Sequence, residues 1–508
     1  MTEIAGRQVP TADAAQIEAL RSDLSAADYT ADHLADVLGS VASGALHREQ
    51  ALPARRALAS CADPVGVLVR LWVLGEDVPV VELDRALPRT GSAGLLTMGL
   101  AVTSEESPDG SVLRGTCDLR PYGDERHDWW VASDLSELVL GGALPTDHVL
   151  GVGGASTTLA SWAPRPHVAR ALDLGTGCGV QALHLSTHAD RIIATDLSER
   201  ALGYARFTAL LNGVDLDLRA GSLLQPLAGE HFDLVVSNPP FVITPRHPNV
   251  PLYEYRDGGA PGDAIVAGLV ADLETVLAPG GIAQLLGNWE LRRGEEWTDR
   301  VGGWLSDSTL DAWVIQREVQ DVAEYAETWA RDGGHRPGTA DFEALYAAWL
   351  DDFAARGIER IGFGVITLQR PLTDRDPFRD LDDLHGPVAQ PAGPAILAGL
   401  RARTWLAEHT DTDLLETRWS TAADVTEERI GRPGGSDPMV IQLRQGGGLR
   451  RTVRLDTVSA GLVGASDGEL TATQIVRGIA VLTEHEVSDL EAQVVPTLRA
   501  LVADGLLQ

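Results

Sequence analysis

The chain has 508 residues, 44% of them hydrophobic and 22% charged, so it can bury cores but is too long for one; roughly three domains are expected at about 100 to 200 residues each. A net charge of -32 opposes nucleic-acid phosphates unless a local basic surface overrides it, which weakens a nucleic-acid substrate without excluding one. All 41 basic residues are arginine, a bias expected of a high-GC bacterial genome, and this excludes Schiff-base lysine chemistry and a P-loop lysine. The Met1 end shows no apolar signal core, and no apolar run is long enough to span a bilayer, so a cytoplasmic protein without membrane contact is expected. Cys61, Cys117 and Cys178 lie far apart without paired spacing, so neither a disulfide framework nor a metal site is indicated.

In chain order, residues 1–60 read as a helical region, with apolar positions recurring at three and four in IEALRSDL, ADHLADVLGSV and ALPARRAL. Residues 61–140 follow with three short helical stretches and two strands around an S-P-D-G turn, an order that resembles a winged helix in pattern. Its third helix lacks an arginine cluster for reading DNA, so a structural accessory module is the plainer reading. WWVASDLSELVL, residues 129–140, reads as a strand and then a turn or helix. Residues 141–370 alternate strands (ALDLGTG, IIATDLS, LDLRAG, FDLVVSN, IAQLLGN, GFGVITLQR) with helical segments, the pattern of a doubly wound, parallel α/β sheet. An acidic, proline-bearing linker is expected over 371–394. The remainder, 395–508, reads as a small C-terminal α+β domain, with strand-like MVIQLRQ and LRRTVRLD ahead of two helices.

In ALDLGTGCGVQALHLS, residues 171–186, a buried strand breaks into a glycine loop and then a helix from near Val180. Gly175, Gly177 and Gly179 permit positive φ and close backbone approach, and the helix N-terminus offers unpaired N–H groups. The spacing is G-x-G-x-G and not the dinucleotide fingerprint G-x-G-x-x-G. The second strand ends in Asp196, 21 residues beyond Gly175, where a carboxylate can accept from both hydroxyls of a ribose. Loop and acid together imply an adenosine-type cofactor, with Ser222 at the end of the third strand placed for the adenine edge. A helix N-cap is the other reading of Asp196.

After the fourth strand comes SNPPFVITP. Pro239 and Pro240 cannot donate to a sheet ladder and fix φ, so they stop the strand and hold the next atoms in one shape. His184, His231 and His247 read as structural or exposed loop residues.

These motifs resemble the class I S-adenosylmethionine-dependent methyltransferases over about residues 150–370. The resemblance is nearest to the HemK-type glutamine methyltransferases and to the methyltransferase small-domain enzymes that modify ribosomal-RNA bases. It implies a Rossmann-like methyltransferase sheet and S-adenosyl-L-methionine as cofactor. DLGTGCG matches the first motif, which makes Asp173, Gly175, Thr176, Gly177 and Gly179 cofactor residues. Asp196 with Leu197 matches the second-strand acid, and Ser222 with Leu223 the adenine-side motif, where relatives often carry aspartate in place of Ser222. NPPF matches the catalytic motif: Asn238, also in reach of the cofactor, Pro239, Pro240 and Phe241. In such a motif the Asn238 side-chain oxygen and the Pro239 carbonyl each accept one N–H of a planar nitrogen, and Phe241 stacks on the acceptor. YRDGGAPGD, residues 255–263, resembles the segment that follows NPPF in HemK-type enzymes, although Asp257, Gly258 and Gly259 also suit a tight turn. VLGVGGASTTLA, residues 149–160, could close over the cofactor, line the acceptor pocket, or simply connect.

The expected activity is methyl transfer to a planar nitrogen of a macromolecule. A protein glutamine amide is slightly favoured over the exocyclic amine of an rRNA or DNA base, and oligomeric state is left open. The alternatives are a nicotinamide-dependent oxidoreductase using the glycine loop and Asp196, and a non-catalytic winged-helix interaction protein retaining a methyltransferase fold.

Overall fold

The computed structural model describes residues 8–247, 250–434 and 437–508; the first seven residues of the helical region expected over 1–60 lie outside them. Two compact units are present: Met1–Leu159 with His167–Asp307 and Glu318–Gly364, and Ala160–Pro166 with Ser308–Arg317 and Val365–Gln508.

The first unit opens with helices Ala14–Ala26, Ala31–Leu46 and Ala51–Leu58. Asp13 caps the first of them, accepting from the Gln16 N–H while the Gln16 side chain accepts from the Asp13 N–H. A helical stretch from Pro64 to Val73 and helices Val80–Ala86 and Gly91–Met98 then pack with the short strands Asp77–Pro79, Ala101–Thr103 and Val112–Gly115. These strands form an antiparallel sheet with Val112–Gly115 in the middle. The first of them carries no sequence signal, because three residues ending in proline show no alternation.

A hairpin of Asp118–Gly123 and Asp128–Ser133 leads into the central fold. Its outer strand is not left bare: the Trp130 N–H donates to Asn212 Oδ1 at 2.9 Å and the Ala132 N–H to Thr208 Oγ1 at 3.2 Å. Side chains of a helix thus satisfy an edge that would otherwise be open for pairing.

The central sheet contains β1 (Val168–Leu174), β2 (Ala189–Asp196), β3 (Asp217–Ala220), β4 (Phe232–Ser237) and β5 (Leu277–Arg292) in the order β5-β4-β1-β2-β3. All four pairings are parallel, and the β1/β4 and β1/β2 registers bring Leu174 level with Ser237 and with Thr195. Helices α1 (Val180–Leu185) and α2 (Glu199–Asn212) make the crossovers that a parallel sheet requires. This is the doubly wound α/β fold expected from the alternation of strands and helices. The sheet order reverses at β1 and β4, so ligand-sized space opens beyond the carboxyl ends of those two strands.

One buried apolar cluster runs from Ile17 and Trp72 through Val131 to Leu183, Tyr204 and Leu211. The N-terminal elements therefore share a core with α1 and α2. Farther along, helices α3 (Val322–Asp332) and α4 (Ala340–Arg356) form a pair packed on Val242 and Ile243 through Tyr325, Trp349 and Phe353.

In the second unit, part of strand Asp311–Asp321 pairs in parallel with Arg379–Asp383 over Ala312–Gln316. That second strand falls inside the stretch read as a linker. Ion pairs hold it: the Arg375 guanidinium grips Asp311 at 2.7 and 2.6 Å, and Arg379 donates to the Ser308 carbonyl at 2.6 Å. Pairing partners some 70 residues apart leave no mark on the local sequence. An antiparallel sheet of Val425–Ile430, Val440–Gln445 and Thr452–Leu455 joins helices Gly393–Glu408, Thr457–Gly464, Ala472–Thr483 and Val487–Ala503 around a core of its own. No helix of the described residues is long and apolar enough to cross a membrane.

Candidate active site

The chain leaves β1 at Leu174 and turns through Gly175 and Gly177, whose φ of 75° and 55° lie in the left-handed region that a side chain would strain. That turn aims backbone donors at β2: the Gly175 and Thr176 N–H groups both reach the Thr195 carbonyl at 2.9 Å, and the Gly177 N–H reaches Asp196 Oδ2 at 2.9 Å. Asp196 Oδ1 accepts from the Ser198 N–H at 2.9 Å. Each carboxylate oxygen thus has one amide partner and a further acceptor site in hand. Burial pushes the Asp196 carboxyl up, against the pull of these amides.

Asp173 lies fully buried behind the loop. Its Oδ2 accepts from Thr176 Oγ1 at 2.6 Å and from the Ala182 N–H at 3.0 Å, which ties strand, loop and α1 together. Its Oδ1 is buried without a partner, and burial pushes the carboxyl up to about 7. Gly179, at the start of α1, sits against Ala205 of α2.

The loop opens into a cavity of about 490 Å³. Of the residues singled out from the sequence, Gly175, Thr176, Gly177, Asp196, Leu197, Ser222, Leu223, Asn238, Pro239, Pro240 and Phe241 all line it. Asp173 and Gly179 do not; they support the loop from behind. Leu197, 70% exposed, and Leu223 give one end of the cavity apolar walls, and the Gly221 N–H donates to the Asp196 carbonyl at 2.9 Å, holding Ser222 beside them. Val149 to Gly151 and Gly153 to Ser156 also line the cavity, and Gln181 Nε2 donates to the Ser156 carbonyl at 2.8 Å. Val149 is fixed by Asp134, which accepts from its N–H at 2.9 Å while paired with Arg200 of α2.

The opposite end is built after β4. Ser237 Oγ donates to the Leu174 carbonyl at 2.8 Å, locking β4 to β1 just before Asn238. Asn238 Oδ1 is buried and has no partner. Phe241 forms an isolated antiparallel bridge with Asp257, and the Val242 N–H donates to the Arg256 carbonyl at 3.0 Å, so Tyr253–Asp257 runs alongside the NPPF stretch. Next in the chain, the Ile243 N–H donates to Tyr325 Oη at 2.9 Å, as does Asn288 Nδ2 at 2.9 Å. The Phe241 and Trp329 rings meet edge to face at 6.3 Å.

Tyr255, Arg256, Trp329 and Asp332 line the cavity without any motif role in the sequence reading. The Arg256 guanidinium lies 4.5 Å from the Tyr253 ring and donates to Asp332 Oδ2 at 2.7 Å, which also accepts from Tyr255 Oη at 2.7 Å. Trp329 and Asp332 come from α3, far along the chain, where WARD has no recognisable spacing. His231 and His247 are exposed and outside the cavity, and His184 is buried against Tyr122 Oη at 2.6 Å. No group of three metal-ligating side chains occurs among the described residues.

Comparison with known proteins places this geometry. The family model for the methyltransferase small domain matches residues 151–251. Residues 26–111 and 398–508 each match a family described as a domain of unknown function, DUF7059 and DUF7782 respectively. A release factor glutamine methyltransferase of Deinococcus radiodurans is 41% identical over 124 residues, which is 22% of this chain and 43% of that protein. Ribosomal RNA small subunit methyltransferase C of Citrobacter koseri is 27% identical over 178 residues, 34% of this chain and 51% of that protein. The chain thus spans about half the length of these relatives. A solved 16S rRNA N2 G1207 methyltransferase of T. thermophilus, in complex with AdoMet and guanosine, aligns at 16% identity and a TM-score of 0.27, covering 51% of this chain and 68% of that one. Residues 151–251 are therefore a methyltransferase small domain of the class I S-adenosylmethionine-dependent type, HemK-like in its relatives.

Proposed function

We propose that the chain is a S-adenosyl-L-methionine-dependent N-methyltransferase that acts on a planar nitrogen of a macromolecule. The observation that carries this reading is Asn238 Oδ1: a buried acceptor without a partner, in the same cavity as the glycine loop and Asp196. An unpaired buried oxygen costs about 1–3 kcal/mol, so its retention points to a partner that arrives with the ligand.

The residues present fit the cofactor. Gly175, Thr176 and Gly177 leave room for close backbone approach, Asp196 has acceptor sites left for ribose hydroxyls, and Leu197, Ser222 and Leu223 suit a flat base. When bound, the cofactor supplies a methyl group on a positively charged sulfur. The chain's own part is placement. Asn238 Oδ1 and the Pro239 carbonyl take N–H groups of the acceptor, which orients a delocalised and therefore weak lone pair. Phe241 and Trp329 offer ring faces and edges to a planar group and favour a nearby cation. Pro239 and Pro240, with the Ile243-to-Tyr325 bond beyond them, restrict misplacement.

A protein glutamine amide is the favoured acceptor, supported by the HemK-like NPPFVITP, by relatives named as glutamine methyltransferases and by the net charge of -32. The exocyclic amine of a base is the second reading, supported by the relatives named for ribosomal RNA. The test is to incubate purified protein and methyl-labelled cofactor with macromolecules from cells lacking the enzyme. Label is expected in the protein fraction for wild type and absent for Asn238→Ala. Label in RNA would move the acceptor to a base, and equal transfer by Asn238→Ala would refute the role of Asn238.

A further inference from the structure

Asn238 Oδ1 is not the only idle acceptor in the cavity. Asp257 has a side chain only 3% exposed, and its Oδ1 is fully engaged, accepting from the Gly259 N–H at 2.8 Å and pairing with Arg246 at 2.9 Å. Its Oδ2 is buried and has no partner. A turn-forming aspartate needs the first oxygen alone. Directly opposite residues of an antiparallel bridge project to the same face, so the bridge between Phe241 and Asp257 sets the carboxylate beside the ring, and both line the cavity with Asn238. The cavity end therefore combines two unpaired acceptors with aromatic surface.

Resting on the methyl-transfer reading, we propose that Asp257 is a specificity-determining residue whose Oδ2 accepts a second N–H of the methyl-accepting group, so that the acceptor is a primary planar nitrogen, –NH2. Two acceptors match two hydrogens on one nitrogen, or one on that nitrogen and one on its neighbour. A substituted nitrogen leaves a buried carboxylate oxygen unpaired, which is a strong penalty because the group is charged. The product of one transfer has lost an N–H and is held less well than the substrate. Transfer therefore stops after a single methyl group. Arg246 has a positioning part: its ion pair turns Oδ1 away and leaves Oδ2 to the cavity.

The probe is benzamide, a primary planar amide on a ring, compared with N-methyl- and N,N-dimethylbenzamide. Each is titrated calorimetrically into protein saturated with S-adenosylhomocysteine. Wild type should bind benzamide about tenfold or more tighter than the dimethyl compound, the usual scale of a charge-assisted hydrogen bond. Asp257→Leu should remove most of that preference while leaving affinity for S-adenosylhomocysteine within about twofold, since it deletes only the acceptor for the N–H. Asp257→Asn, which keeps the turn and a neutral acceptor, covers the case in which the leucine variant fails to fold, and should lose part of the preference. An unchanged preference in a folded variant, no preference in wild type, or no binding of benzamide overturns the proposal. Failure of S-adenosylhomocysteine itself to bind would instead remove the methyltransferase reading beneath it.

Discussion

At the scale of single residues, the site makes three separable demands. Asn238→Ala should lower methyl transfer at least about 100-fold while leaving cofactor affinity nearly intact, because positioning and electrostatic contacts to the reacting group act at the chemical step. Label transfer beside calorimetry with S-adenosylhomocysteine checks this. Asp196→Ala should weaken cofactor binding by about 1–3 kcal/mol through lost hydrogen bonds, and unchanged affinity would contradict a ribose-anchoring part. Asp173 answers to pH. Its folded-state pKa, up at about 7, lies above the unfolded value near 4, so its contribution to stability is complete below that unfolded value and is lost as pH rises through about 7. Asp173→Asn lacks this titration. The variant should gain on the order of 1–3 kcal/mol over wild type at pH 8, with the gap closing towards pH 4, as read from thermal midpoints across pH. The glycines and NPPF were readable in the sequence because positive φ and a donor-free, fixed backbone allow few residue types. Whether Asp173 touches a ligand or braces the loop was not readable, since both uses need the same carboxylate at the same position.

Elements show where local pattern stops being informative. The six strands expected between residues 145 and 370 are all present, because short apolar runs bounded by glycine, aspartate or asparagine have few other uses. Strand Asp311–Asp321 was not among them: only its first half is fully buried, and the rest reads as charged and polar. Helices α3 and α4 were read only as helical segments, yet they deliver Trp329 and Asp332 to the cavity and Tyr325 to the backbone after NPPF. Tyr325 Oη is the shared acceptor of two buried donors, the Ile243 N–H and Asn288 Nδ2. Tyr325→Phe keeps the ring packing against Trp349 and Phe353 and deletes that oxygen. It should cost about 1–3 kcal/mol in denaturant unfolding for each donor left unpaired. It should also lower the rate of transfer more than cofactor affinity, since the loosened segment is on the acceptor side. An effect on cofactor affinity alone would contradict that division.

At the scale of the whole molecule, the sequence announced the chemistry in under a fifth of its length, and the rest is organised by contacts that no local window contains. The apolar cluster from Ile17 to Leu211 forms because helix α2 is buried on several faces, from Leu202 and Tyr204 to Phe207 and Leu211, a pattern that reads as one helix and does not reveal how many partners it has. The second unit likewise depends on Arg403, which lies 3.7 Å over the Trp313 ring and bonds to the Ala503 carbonyl at 2.6 Å and to Asp380 Oδ2 at 2.6 Å. The cavity nevertheless draws all its residues from the first unit, so the central claim is local to it: the glycine loop and Asp196 hold S-adenosylmethionine. The most direct test is a calorimetric titration of the full chain with S-adenosylmethionine and, separately, with oxidised nicotinamide dinucleotide. Stoichiometric binding of S-adenosylmethionine, weakened by about tenfold or more in Asp196→Ala, is the predicted result. Binding of the nicotinamide dinucleotide in its place, or binding of S-adenosylmethionine that ignores the loss of Asp196, would contradict it.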